Sequence, residues 1–514
     1  MKKLIMFVLL LLLGLAGCAT NPVTGNKELS LISEAQELSI GKQQYAPMRQ
    51  AQGGDYVADA MVGSYVNEVG QKLAAVSDRK LPYEFKVLNN SVPNAWALPG
   101  GKISINRGLL TELKSEAELA AVLGHEIVHA AAKHGAKGMQ RAMLLQGAVA
   151  IATIAVATQN ADYANLAQLG AGVGAQLISQ QYGRDAERES DKYGMRYMVS
   201  AGYDPQGAVE LQKTFVKLSE GRRQDWLSGL FASHPPSPER VANNIKTAAG
   251  MPKGGESGRD HYQRKLAHLI ETKPAYEAYG KAQKALADGD TAKAKGLVKK
   301  AIAIEPREGH FHSLLGDIEQ KSKRYKAALK YYDKAISLND NFFYYHLQSG
   351  LVNERLNKNT ASKRRLERSL ELLPTANAYN GLGDIARKER RFDKAKQYYA
   401  RAAGHPSDVG KAAFGSLVEL DLADNPGKYI ELRIGVDKKG RVLAVISNPT
   451  PKNITGLVIA LQFPDDKGRL QEVQRKIRGQ LRAEQKQQVD LGIKVNPKQA
   501  RQVRSKVVAA RIAK

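Results

Sequence analysis

The spacing of apolar and polar residues changes along this chain of 514 residues. Residues 60 to about 255 contain candidate helices and a candidate edge strand, and from 274 to about 406 the pattern repeats every 34 residues. After residue 425, apolar and polar positions alternate as they do in strands. We therefore expect a multi-domain, mainly α protein with an α+β domain over 60–255, an α-solenoid over 265–410 and a small β-sandwich over 425–514.

Small residues recur at fixed positions of the 34-residue repeat. One position holds Ala282, Gly316, Gly350 and Gly383, where a larger side chain would keep the two helices of a pair apart. The pattern resembles four tetratricopeptide repeats, the third of which matches least well. Stacked repeats form a concave face, and the resemblance implies that this face recruits extended segments of other proteins. An unrelated helical bundle is the alternative.

The C-terminal region combines strand patterns with strong positive charge. Residues 429–436 and 442–448 flank a hairpin signal at Asp437–Gly440, and 454–463, 489–495 and 503–512 are further strand candidates. From residue 425 onward there are 20 Lys and Arg against 7 Asp and Glu, which is half of the net charge of +26. This charge predicts either attraction to lipid headgroups or an acidic envelope surface, or a solvated basic face that keeps the domain soluble.

The first residues form an export signal, which argues against nucleic acid as a partner. Lys2 and Lys3 precede an apolar run over 4–13 that is too short to span a membrane. The sequence LAGC then ends at Cys18, the only cysteine, and resembles a bacterial lipobox. We therefore expect a signal peptide over 1–17, a lipidated segment and helix over 18–59, and anchoring through acyl chains on Cys18. By resemblance to sorted lipoproteins, Ala19 favours the outer membrane.

A metal-binding pattern lies in the segment from Ser115 to Gly135. Ser115 followed by Glu118 is a capping box, so we expect a helix that ends near Gly135. His125 and His129 then lie one turn apart on one face and can bind one Zn²⁺. Glu126, beside the metal, is placed to take a proton from metal-bound water.

A catalytic zinc ion needs a third protein ligand and one open position. The segment 182–194 supplies Glu187 and, four residues later, Asp191 on one helix face. We predict that Glu187 binds the metal and that Asp191 accepts the N–H of a ligand histidine. Glu189 is expected to face elsewhere.

Two further segments complete the predicted site. The sequence NAWALPGGKISINRGLL over 94–110 predicts an edge strand, whose exposed side could bind an extended polypeptide by β-addition. The loop SHPPSPER over 233–240 contains His234 and Arg240. Arg240 could stabilise the anionic tetrahedral intermediate. His234 could assist it, occupy the open coordination position as a plug, or have no role at the metal.

These four motifs, NAWALPGG, HEIVH, ERESD and SHPPSPER, occur in the order found in the zinc metalloprotease family that includes the CAAX prenyl protease and HtpX. The resemblance covers about 60–250 and implies a zincin-type domain with His125, His129 and Glu187 as ligands and Glu126 as general base. It also implies a role near the metal for His234 and Arg240. The repeats resemble those of periplasmic family members that assist outer-membrane β-barrel assembly, whereas the lipobox and the basic β domain are additions.

An apolar segment, 142–158, and its Gly/Ala-rich partner, 166–178, are too short to span a membrane. They predict a helical hairpin that forms either a lid near lipid or plain core.

Together these features predict an exported, membrane-anchored zinc endopeptidase that hydrolyses misfolded or unassembled envelope proteins. Its partners are expected to be polypeptides and envelope quality-control proteins, recruited through the repeats. The alternative is a chaperone or scaffold whose zinc site is occluded or regulatory.

Overall fold

The computed structural model describes residues 18–146, 182–221, 234–465 and 468–513, which form two compact units. The first unit contains Met1–Val352 and Glu371–Leu373, and the second contains Asn353–Leu370 and Pro374–Lys514. The predicted signal peptide, and the apolar hairpin from residue 147 onward, lie outside the described residues. Among the residues described, every helix is too short or too polar to span a bilayer.

Within its described residues, the first unit contains five short strands. Two of them form an antiparallel hairpin at the N-terminus, and the other three form a sheet in the order β3-β5-β4, with β3 parallel and β4 antiparallel to β5. Their bounds are β1 (Cys18–Thr20), β2 (Lys27–Leu29), β3 (Glu84–Leu88), β4 (Ala95–Leu98) and β5 (Lys102–Asn106).

Ten helices in the described part of this region accompany these strands. They are α1 (Glu34–Ala51), α2 (Ala60–Ala74), α3 (Arg107–Leu110), α4 (Glu116–Ala131), α5 (His134–Gln146), α6 (Arg184–Ser200), α7 (Gln206–Gly221), α8 (Pro238–Ala249), α9 (Arg259–Lys265) and α10 (Ala267–Glu271). All but one of the residues of α4 are buried, because α2, α6 and α7 pack around it and its N-terminal half is rich in Ala and Leu.

The crossing of α4 and α6 depends on two glycines. A Cβ atom on Gly194 would lie 3.0 Å from the backbone nitrogen of His125 and 3.1 Å from the carbonyl carbon of Gly124. These distances are below ordinary van der Waals contact, so only glycine allows the two backbones to approach this closely. The crossing therefore brings the HExxH helix and the helix of Glu187 together.

Eight helices follow at the positions predicted for the four repeats, which confirms the α-solenoid. They are α11 (Lys273–Ala287), α12 (Thr291–Ile304), α13 (Gly309–Lys321), α14 (Tyr325–Leu338), α15 (Phe343–Arg355), α16 (Asn359–Leu372), α17 (Ala376–Lys388) and α18 (Phe392–Ala403). The small residues serve as expected: a Cβ atom on Gly316 would lie 2.5 Å from the ring of Tyr332, and one on Gly383 would lie 2.6 Å from the ring of Tyr399.

The second unit ends in the predicted β region, which is built from two antiparallel sheets. One sheet has the order β11-β7-β6, and in the other β8 pairs with β9, β10 and β12. The strands are β6 (Glu431–Val436), β7 (Arg441–Ser447), β8 (Ile454–Pro464), β9 (Leu470–Lys476), β10 (Gln480–Leu481), β11 (Lys486–Lys494) and β12 (Arg504–Ile512). The accompanying helices are α19 (Asp408–Asp421), α20 (Pro426–Tyr429) and α21 (Pro497–Ala500). The strands β9 and β10 were not among the five candidates, because they are polar and largely exposed.

Candidate active site

The N-terminus of α4 is capped as its sequence predicts. The Ser115 hydroxyl accepts the N–H of Glu118, and the Glu118 carboxylate accepts the N–H of Lys114. The helix ends at Ala131, four residues earlier than the Gly135 expected. Lys133 there adopts a left-handed conformation with φ of 61°, and the chain turns into α5 at His134.

Four side chains from three segments converge at the C-terminal end of α4. His125, His129, Glu187 and His234 are all buried, and each presents one ligand atom within 4.8 Å of the others. The Nε2 atoms of His125 and His129 are 3.0 Å apart, and Glu187 Oε1 lies 3.4 Å from His129 Nε2. His234 Nδ1 lies 2.9 Å from the same Glu187 oxygen and 3.3 Å from His125 Nε2.

These distances fit a shared metal ion. Ligands about 2.0–2.1 Å from a tetrahedral zinc ion lie about 3.3 Å from one another. The two Nε2 atoms are 3.0 Å apart, His129 Nε2 lies 3.4 Å from Glu187 Oε1, and His125 Nε2 lies 3.5 Å from Glu187 Oε2. Two imidazoles with a carboxylate are a common zinc donor set. Among the described residues the buried Oε2 atom of Glu126 has no hydrogen-bond partner, which leaves an acceptor for metal-bound water.

Asp191 and Arg240 contact the metal-binding side chains on the side away from the metal position. Asp191 Oδ1 lies 2.9 Å from His125 Nδ1, so that Nε2 faces the metal position. Arg240 donates through Nε and Nη2 to the two oxygens of Asp191, at 2.8 and 2.7 Å. Its Nη1 lies 2.9 Å from Glu187 Oε2. The structure thus directs the Arg240 donors toward the carboxylates that hold the ligands.

The charges of the site favour a bound cation. Burial would raise the pKa of the Glu187 carboxyl, but the neighbouring histidines His234 and His125 hold it well below its usual range. Burial would also raise the pKa of Asp191, but Arg240 and His125 lower it. Burial alone would lower the pKa of His125, and these two carboxylates instead raise it to about 10. The site therefore attracts positive charge, which a metal ion would supply.

Glu126 is placed as a catalytic base would be. Its side chain is buried, and burial raises the pKa of its carboxyl above the ordinary value, although His234 and His125 oppose the rise. A raised pKa brings a carboxylate closer to the proton affinity needed for general base catalysis near neutral pH. Its Oε1 lies 3.5 Å from His234 Nε2.

The predicted edge strand is present but covered. Strand β4 lies at the edge of its sheet, yet all four of its residues are buried, and α1 and α4 contact it. The expectation of an exposed edge for substrate is therefore wrong, because α1 packs so closely that a Cβ atom on Gly41 would collide with the carbonyl oxygen of Pro99.

Sequence reasoning missed two residues near the donors, His134 and Tyr182. His134 Nδ1 lies 2.9 Å from His129 Nδ1, and its Nε2 lies 3.5 Å from Glu189, the residue expected to face elsewhere. The ring of Tyr182 packs on the His129 ring, with centroids 4.0 Å apart. The sequence pattern of α4 and α6 alone gave no signal for these contacts.

The fold and the site define a metallopeptidase, and the comparisons with known proteins specify its family. Residues 62–248 match the model of peptidase family M48, and 279–341 and 347–409 each match a tetratricopeptide repeat model. Metalloprotease YcaL of Escherichia coli (strain K12) is 31% identical over 218 residues, which cover 41% of this chain and 79% of that protein. The chain belongs to peptidase family M48.

Two further relatives match different lengths of the chain. The beta-barrel assembly-enhancing protease of Escherichia coli (strain K12) is 26% identical over 354 residues, which cover 63% of this chain and 71% of that protein. Metalloprotease LoiP of the same organism is 33% identical over 161 residues, which cover 31% of this chain and 60% of that protein.

Proposed function

We propose that this protein is an exported, membrane-anchored zinc endopeptidase that degrades misfolded or unassembled envelope proteins. The observation that supports it most strongly is the convergence of His125, His129 and Glu187 beside the buried carboxylate of Glu126. One zinc ion per chain fits these donors. The name of one relative, the beta-barrel assembly-enhancing protease of Escherichia coli (strain K12), supports the choice of envelope proteins as substrates.

The residues divide the reaction among them. A bound zinc ion would polarise the scissile carbonyl and lower the pKa of its water to about 7. Glu126 would take a proton from the attacking water and pass it to the leaving amine. Asp191 holds His125 with Nε2 toward the donor cluster. Arg240 holds both Asp191 and Glu187, so its support of the anionic intermediate comes from the charge that it adds to the site.

The repeats offer a surface for recruiting polypeptides. In the first unit a pocket of about 780 Å³ lies among α11, α13, the start of α15 and the residues that precede α2 and α4. Its lining includes the aromatic residues Tyr279, Phe343 and Tyr344 and the ion pair of Lys273 with Glu112. Such a mixture suits an extended segment with apolar and charged side chains.

The proposed location depends on the N-terminus. We propose that Cys18 is acylated and holds the protein at the periplasmic face of the outer membrane, with the basic C-terminal strands facing anionic lipid. Mass spectrometry of Cys18 in protein purified from membranes tests this: an unmodified thiol, or unchanged membrane association of Cys18→Ser, would refute the anchor.

The placement of His234 favours a second function, a chaperone or scaffold whose zinc site is occluded. His234 Nδ1 lies as close to Glu187 and His125 as a fourth ligand would. A fourth protein ligand would exclude the water that hydrolysis needs. Replacement by alanine separates the two roles, because casein cleavage by His234→Ala rises if His234 blocks the metal and falls if it assists the reaction.

Digestion of casein by wild type and Glu126→Gln, each with its zinc content measured, tests the endopeptidase directly. We expect Glu126→Gln to keep its zinc and lose turnover, since the amide cannot accept the proton. Glu210→Gln, an exposed change on α7, is the matched control and should behave as wild type. Cleavage retained by Glu126→Gln would remove the assignment of the general base.

A further inference from the structure

His129 has an unusual neighbour on the side that faces away from the metal position. His134 opens α5, its ring is buried, and its Nδ1 lies 2.9 Å from the Nδ1 of His129. Two ring nitrogens at this distance share one proton, so one must donate and the other must accept. A ligand histidine needs a free lone pair on the nitrogen that faces the metal.

The geometry fixes which nitrogen donates. His129 Nε2 faces His125 and Glu187, so its proton must be on Nδ1, from which it is donated to His134 Nδ1. His134 then carries its own proton on Nε2, which points at Glu189 Oε1, 3.5 Å away. Each proton position follows from the one before it.

The carboxylate at the end of this chain is itself held in place. Asn21 donates to Glu189 at 3.2 Å and to Glu28 at 3.2 Å, and Lys137 of α5 contacts Glu28 at 2.5 Å. Farther along α5, Gln140 accepts the N–H of Leu31 and donates to the carbonyl of Leu29. The N-terminal hairpin thus braces the start of α5, which carries His134.

We propose that His134 and Glu189 are positioning residues that hold His129 in the tautomer presenting Nε2 to the metal. This inference rests on the proposed zinc site. It assigns His129 a support that is separate from the one that serves His125, whose Nδ1 meets the carboxylate of Asp191 directly. At His129 the imidazole of His134 lies between the ligand and the carboxylate of Glu189, so Glu189 acts on His129 through His134.

Zinc affinity, measured by competition with a chelator, tests the proposal with the full-length protein. His134→Leu removes the acceptor and should weaken zinc binding about 10- to 100-fold, as loss of such outer partners does. His134→Asn places an amide oxygen near the position of Nδ1 and should restore affinity to within a few-fold of wild type. Glu189→Ala should weaken binding less than His134→Leu. Asp185→Ala, on the same helix and exposed, is the control and should bind as wild type.

Thermal unfolding of the metal-free variants separates positioning from folding. A purely structural role for His134 would lower the melting temperature of His134→Leu and His134→Asn alike, with zinc affinities that do not differ. That result, or wild-type affinity in His134→Leu, would overturn the proposal. Failure of the proposed function would look different: wild type would not cleave casein, or Glu126→Gln would cleave it, whatever the zinc affinities show.

Discussion

The crossing of α4 and α6 offers a quantitative test of how the fold sets the metal geometry. In Gly194→Ala the new Cβ atom would lie 3.0 Å from His125 N, 3.1 Å from Gly124 C and 3.3 Å from His125 Cα. All three are backbone atoms, which cannot rotate away as the tip of a side chain can. The two helices must therefore move apart.

The required displacement can be compared with what a metal site tolerates. Ordinary carbon contacts are about 3.5–4.0 Å, so the backbones must separate by roughly 0.5 Å. Metal–ligand distances allow only about 0.2 Å. Because His125 is on one helix and Glu187 on the other, we expect zinc affinity and casein cleavage to fall at least about tenfold, as they do when residues supporting a metal ligand are lost.

The free energy of unfolding should fall by no more than about 2 kcal/mol. Overpacking costs about 1–3 kcal/mol, whereas alanine is favoured over glycine inside a helix by about 1 kcal/mol. Isothermal titration with zinc, casein digestion and thermal unfolding measure the three quantities. Gly63→Ala in α2 is the control, because its Cβ would meet no atom within 4 Å and should leave zinc binding unchanged. Wild-type zinc affinity in Gly194→Ala would refute the reasoning.

Three more predictions follow from buried charges. Glu37→Ala should lower the free energy of unfolding by about 3 kcal/mol in thermal or urea unfolding, because it strips a buried, two-point partner from Arg79; a loss below 1 kcal/mol would contradict this. Burial raises the pKa of Asp317 to about 6, so its cost to stability appears as pH rises from about 4 through 6, and Asp317→Asn should gain up to about 3 kcal/mol at pH 7 but nothing at pH 3; equal gains at both pH values would refute it. Burial would raise the pKa of Asp421, but its hydrogen bonds, that of Tyr429 foremost, lower it to about 2. The carboxylate therefore stabilises the fold fully above pH 4, and this stabilisation is lost as the pH falls toward 2. Acid unfolding of the second unit should lose this pH dependence in Asp421→Asn.

Features that depend on local spacing could be predicted from the sequence. The pairs His125/His129 and Glu187/Asp191 each lie four residues apart, and an α-helix places such residues on one face. The small residues of the repeats could be predicted for the same reason. Gly316 packs against the ring of Tyr332 so closely that a Cβ atom would not fit. In each case the periodicity of one element determines the arrangement.

Features that depend on where an element ends could not be predicted. In a continuous helix His134 would lie well round from His129 and could not meet its Nδ1. The contact exists because α4 ends at Ala131 and Lys133 turns the chain in a left-handed conformation. Glu189 does point away from Glu187, as expected, but α5 lies on that side. The burial of β4 has the same origin, since the position of α1 is a matter of tertiary packing.

The location of the metal ion tests the central claim most directly. X-ray diffraction at the zinc absorption edge, on crystals of the zinc-loaded protein, would place the ion without reference to activity. We predict one zinc ion per chain, about 2.0–2.2 Å from the Nε2 atoms of His125 and His129 and from a carboxylate oxygen of Glu187. An ion bound elsewhere, or a site that binds no zinc while the protein still hydrolyses casein, would contradict the account.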